Sequence, residues 1–160
     1  MAAVEFAMVA LPFFLMIFSI LELGVAFVLD SVLETATTDT GRLVRTGQAD
    51  AEGFDKVRFK TEFCSRMSVF EGDCANRATV DVRVIPQFAV MGLEDPFTNG
   101  ALDPEKTTYD GGDPGDLVLV RVWYEHPLAT PFLNQAVSRA GTGKVLLSAA
   151  TAFRNEPWNA

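Results

Sequence analysis

Residues 6–21 carry no charged side chain, and after one acid, Glu22, apolar character resumes over residues 23–29. A helix needs about 20 apolar residues to cross the hydrocarbon core of a bilayer. The pattern predicts a transmembrane half-helix over residues 1–29, broken by a single carboxylate. From Asp30 the pattern changes. Leu29, Val32, Leu33, Ala36, Leu43 and Val44 recur at helical spacing, with Asp30, Glu34, Thr37, Thr38 and Asp39 between them. One apolar stripe on a polar helix is the mark of a face packed on a core. The same helix is expected to continue over residues 30–47 with that stripe against a folded head. Pro12 lacks an amide N–H, so a kink or local melting is expected near it. Gly41 is expected to loosen the helix, Arg42 and Arg45 suit its last turn, and Gly47 its stop.

A second helix is predicted over residues 51–67, where Phe59, Phe63 and Met67 form an i, i+4, i+8 stripe, with Asp50 as its cap. Glu71, Gly72 and Asp73 read as a turn. Three period-two segments follow, at residues 78–88, 117–125 and 144–154. With no crossover helix between them, they predict an antiparallel meander whose apolar face covers the long helix. Helices first and strands afterwards make an α+β fold. The domain reading is a membrane and assembly half-helix, residues 1–29, and a head, residues 30–160. Two long connections, residues 89–116 and 127–143, are rich in Pro and Gly and are of the length that often carries function.

Charge narrows the partners. Thirteen Lys and Arg against 21 Asp and Glu give a net charge of −8. An acidic chain disfavours nucleic acid, whose binding begins with phosphate neutralisation. No Lys or Arg precedes Arg42, so the apolar stretch has no basic flank for anionic lipid. The missing basic n-region and the length of the apolar run argue for a retained anchor over a cleaved signal peptide. The two cysteines, Cys64 and Cys74, lack zinc-ligand spacing, and there is one His. Beyond a membrane anchor they read best as one disulfide in an oxidising compartment, the alternative being two buried thiols.

Candidate chemistry is sparse. Gly141-Thr142-Gly143-Lys144 fails as a phosphate loop, because Ser138 and Val145 stand where Gly and Ser or Thr are required. His126 is the lone histidine and reads as structural. No nucleophile–base pattern is visible, so an enzyme is not expected. The run 110–116, DGGDPGD, offers Asp110, Asp113 and Asp116 as hard oxygen ligands. It is a candidate calcium site, weighed against a solvated acidic turn. Glu5 lies where a helix dipole and a nearby α-amine favour a carboxylate. Glu22 has two readings: it reaches water at the far interface, or it makes a packing or assembly contact with another helix. A charge near mid-bilayer costs about 2.5–3.5 kcal/mol on insertion scales.

The opening, Ala2-Ala3-Val4-Glu5-Phe6-Ala7-Met8-Val9-Ala10-Leu11-Pro12, resembles the start of TadE-like pseudopilins, the minor pilins of the tight-adherence (Tad, type IVc) pilus. Leu21-Glu22-Leu23-Gly24 resembles their E-x-G-like step, and Arg154-Asn155-Glu156-Pro157 resembles the R-N-E-P ending of many of them. The resemblance implies a protein held in the inner membrane by one pass, with a periplasmic head, and later extracted into a pilus or initiating complex at the cell surface. Its partners would be other pilin and pseudopilin subunits and the pilus assembly platform. Glu5 would pair with the α-amine of a neighbouring subunit, and Pro12, Glu22 and Gly24 would shape helix packing. The family's leader, which ends in Gly, does not precede Met1 in this sequence. A competing expectation is a bitopic envelope protein whose head binds a ligand or partner without joining a filament.

Overall fold

The computed structural model describes residues 2–88, 96–98, 101–130, 133 and 143–158. One helix dominates it. α1 (Ala2–Arg45) runs unbroken for 44 residues, about 66 Å at 1.5 Å per residue. The local melting expected at Pro12 does not occur: the helix runs through it with one backbone hydrogen bond fewer. Nor does Gly41 loosen it. A Cβ there would lie 3.1 Å from both Phe153 and Thr151, so the glycine admits the sheet to the helix backbone. α1 stops at Gly47, whose φ of 76° favours glycine.

A single helical turn, α2 (Gln48–Ala51), precedes α3 (Lys56–Ser65). The predicted second helix is thus shorter and starts later than residue 51. Asp55 is its cap in place of Asp50, accepting the Arg58 N–H at 2.7 Å. Gly53, at φ 63°, breaks the chain between the two helices. Residues 71–73 are not a turn: they open a further helix, α4 (Glu71–Arg77), after a 3-10 turn at Ser68–Phe70. The strands are β1 (Ala78–Val84), a two-residue hairpin β2 (Phe97–Thr98) and β3 (Ala101–Leu102), then β4 (Leu117–Pro127) and β5 (Lys144–Arg154). β1 is shorter than predicted and β4 is longer.

The main sheet is antiparallel in the order β1-β4-β5. Its register puts Val80, Val122 and Ala149 in one row and Val82, Val120 and Thr151 in the next. These rows face α1, whose Leu29, Leu33, Ala36 and Val44 are buried against them together with Phe59, Phe63 and Met67. Each such large apolar side chain contributes about 1.5–3 kcal/mol. Thr37 and Thr40 lie on the same buried face, which corrects the polar placement expected for Thr37. Their hydroxyls donate to the Leu33 and Ala36 carbonyls at 2.7 Å, which makes burial tolerable.

The other face of the sheet is covered by the first long connection. Val82 N–H donates to Thr108, and Asp110 N–H donates to Val82, each at 2.9 Å. Lys56 Nζ donates to the Pro104 and Thr107 carbonyls at 3.0 and 2.8 Å. Beneath this cover Asp81 is fully buried. It accepts two bonds from Arg83 (2.9 and 2.7 Å), two from Arg121 (3.0 and 2.7 Å) and the Thr108 N–H (3.0 Å). Arg121 lies directly opposite Asp81 in the register and stacks over Trp123 at 5.1 Å. Burial alone would raise the Asp81 carboxyl; Arg83, the Thr108 N–H and Arg121 outweigh it and hold the pKa below the usual carboxylate value.

Cys64 and Cys74 are disulfide-bonded, with Cα atoms 5.5 Å apart. The bridge ties the end of α3 to α4, not to a strand as the expected turn at 71–73 implied. Closing so short a loop contributes roughly 3 kcal/mol in the chain-entropy account.

The C-terminal segment straps the far end of α1. Glu156 N–H donates to the Arg45 carbonyl at 2.9 Å, and Asn155 N–H to Asp116 at 2.8 Å. Asn155 Nδ2 donates to the Gly111 and Asp113 carbonyls at 2.8 and 3.1 Å. Trp158 packs so closely on Gly47 that a Cβ there would sit 2.4 Å from the indole.

Candidate functional site

The head leaves the first half of α1 bare. The helix is long and apolar enough to cross a membrane, and among the described residues none buries its most apolar stretch. Phe6, Met8, Phe13, Phe14 and Phe18 are all more than half exposed. An apolar patch of this extent does not stay in water; it marks a membrane or protein contact. Ser19, the polar exception, donates to the Leu15 carbonyl at 2.8 Å and so satisfies itself.

The residues singled out in the sequence distribute unevenly over this surface. Glu5 is in the first turn of α1 and exposed, with no ion pair among the described residues. There the unpaired N–H groups of a helix start favour negative charge. A Cβ at Gly24 would meet nothing within 4 Å, so among the described residues no packing requires glycine there. A bare glycine backbone lets a second helix approach closely.

Glu22 has a partner that neither sequence reading names. Its carboxylate accepts the backbone N–H of Ala129 and, at 2.9 Å, that of Thr130, just beyond the end of β4. The contact is inside the chain and bridges 107 residues of sequence. No local pattern around Glu22 signals a partner so distant. His126, one strand end away, is half-buried. Burial first, then the Arg77 charge, push its pKa below the ordinary value, against the opposing pull of Glu22 and Asp73. It is therefore neutral at pH 7.

At the opposite end of the head a cleft of about 560 Å³ lies between the α1–α2 turn and the 110–116 loop, lined by Asp50, Phe54, Tyr109, Asp110 and Trp158 among others. Burial and then the charges of Asp50, Asp55 and Asp110 push the Tyr109 phenol up to about 12, so it stays protonated. The calcium expectation is not met. Asp110 turns to the Gly112 N–H at 3.0 Å and Asp116 to the Asp113 N–H at 2.9 Å. The carboxylates close the turn individually, and among the described residues no three acidic, His or Cys side chains converge on a point where a metal could sit. Residues 138–142 of the rejected phosphate-loop likeness lie outside the described residues.

The family model for TadE-like protein matches residues 1–42 of the 160-residue chain. The match ends within α1, three residues before the helix does. No curated protein and no solved structure matches the chain.

Proposed function

We propose that this chain, TadE-like at its N-terminus, is a minor pilin or pseudopilin of a Tad-type pilus. In the resting state the bare half of α1 lies in the inner membrane, and the head stands in the periplasm. On extraction the same apolar surface exchanges lipid for the helices of other pilin subunits, supported by assembly-platform proteins. Neither environment asks the helix to change shape, because both satisfy an apolar rod whose backbone is already bonded internally. Glu5 enters an apolar setting during this exchange, and pairing with a neighbour's α-amine removes the cost of carrying it there. Pilus biogenesis, and surface attachment through it, is the outcome; no chemical step is assigned to the head.

What supports the reading is one combination: an uncovered apolar half-helix with a carboxylate in its first turn, in the segment that matches the TadE-like model. The cleft beside Tyr109 favours a second reading, a bitopic protein whose head binds a ligand. A photo-cross-linking amino acid in place of Phe13, in piliated cells, separates the two. The proposal expects adducts with another pilus subunit in the sheared filament fraction. Adducts with lipid alone, and none in filaments, would favour the bitopic protein.

A further inference from the structure

The β4–β5 connection touches α1 well below the level at which the head begins. Leu29 is the first residue of α1 that the head buries. Glu22, which holds the Ala129 and Thr130 N–H groups, lies seven residues earlier, about 10 Å down the helix axis. The same residues form, with Leu15 and Phe18, an apolar notch of about 380 Å³ that reaches one to two turns further down. On the turns of α1 between the clamp and the head, Val25, Phe27 and Val28 remain 45%, 74% and 57% exposed. Whatever apolar medium covers them also reaches the level of the loop. The sequence from residue 127 to residue 138 has no charge.

We propose that residues 128–130 are seated in the acyl region of the membrane surface beside α1, giving the head a second lipid contact. Two costs cancel in this arrangement. Backbone N–H groups in hydrocarbon must be bonded within the protein, and a lone carboxylate at that depth is expensive. The Glu22 clamp answers both: the loop supplies two donors to the carboxylate, and the carboxylate supplies two acceptors to the loop. The occupant is lipid because the surface is continuous with the bare apolar face of the anchor. The inference rests on the membrane-anchored reading of α1 and is independent of pilus assembly.

The test uses the full chain in vesicles of phosphatidylcholine brominated on its upper acyl carbons, which quench tryptophan on contact. Emission from the native Trp123 and Trp158 sets the baseline, and one tryptophan is added at a time. Leu128→Trp is expected to lose most of its added emission, as is Phe14→Trp in the anchor. Glu52→Trp, beyond the far end of α1, is expected to keep its emission. Adding Glu22→Ala to Leu128→Trp is expected to restore emission by releasing the loop. Quenching at Phe14→Trp without quenching at Leu128→Trp would overturn the inference alone, whereas no quenching at either would overturn the anchor as well. Quenching of Leu128→Trp unchanged by Glu22→Ala would remove the clamp from the account and overturn the inference.

Discussion

Replacing Asp81 with alanine is expected to destabilise the head by about 3–5 kcal/mol, the range for removing one partner of a buried ion pair. Asp81 is wholly buried, while the Arg83 and Arg121 side chains are 14% and 15% exposed. The substitution leaves two largely covered guanidinium groups without the carboxylate they share, and it strips the Thr108 N–H of its acceptor. The same site gives the head an acid dependence with a defined sign. The folded-state pKa of Asp81 lies below its unfolded value, which is about 3.9. Its contribution is therefore fully present at neutral pH and is lost as pH falls through the folded value. Urea unfolding of the full chain in detergent, followed by near-ultraviolet circular dichroism, checks both parts. The variant is expected to unfold at lower urea at pH 7 and to lose less stability than the parent on acidification. Equal midpoints at pH 7 would show that the buried carboxylate is dispensable.

Glu5→Ala is expected to abolish piliation and leave the head intact. Glu5 is remote from the core and exposed, so its loss is expected to change folding stability by under about 0.5 kcal/mol. Its effect belongs to assembly. Opposite charges 4 Å apart attract by about 4 kcal/mol at an effective dielectric of about 20, close to a thousandfold in an equilibrium constant. Loss of such a contact at subunit addition, with the partner amine left unpaired in an apolar setting, would stop incorporation. Electron microscopy of pili, with immunoblotting of the membrane fraction, reads the result. Normal piliation with Glu5→Ala would remove the charge pair from the mechanism.

Much of this architecture is legible in the residue pattern because periodicity reports burial directly. The shift from an all-round apolar run to a single stripe near Asp30 corresponds to the point where Leu29 and Leu33 enter the core. The alternation of Val80 and Val82, and of Val118, Val120 and Val122, gives the inner face of the sheet. Periodicity says less where two faces are both covered. Asp81 sits at an outward position of β1 and reads as solvated, yet it is buried because the 104–110 segment folds over it. The visible hint was the opposite charges of Asp81, Arg83 and Arg121 at outward positions of two strands, which only the register brings together.

The Glu22 clamp was out of reach for a related reason. Its two donors are backbone groups, which no side-chain pattern reveals, and they come from 107 residues away. The 110–116 loop offered two readings in sequence, a calcium site and an acidic turn, and its geometry is that of the turn. Its aspartates are spaced like ligands, but short Asp side chains next to glycines bond their own backbone readily, as Asp110 and Asp116 do here. The Arg154-Asn155-Glu156-Pro157 ending, met first as a family likeness, has a physical role within the chain. It fastens the end of α1 to the 111–116 loop through Asn155 and Glu156.

The central claim is that the first half of α1 is built for apolar surroundings that the other described residues do not supply. Sedimentation velocity of the purified full chain, with detergent present and then removed, tests it most directly. The account predicts a monomer in detergent and aggregation or pelleting once detergent is gone. A soluble monomer without detergent would contradict it.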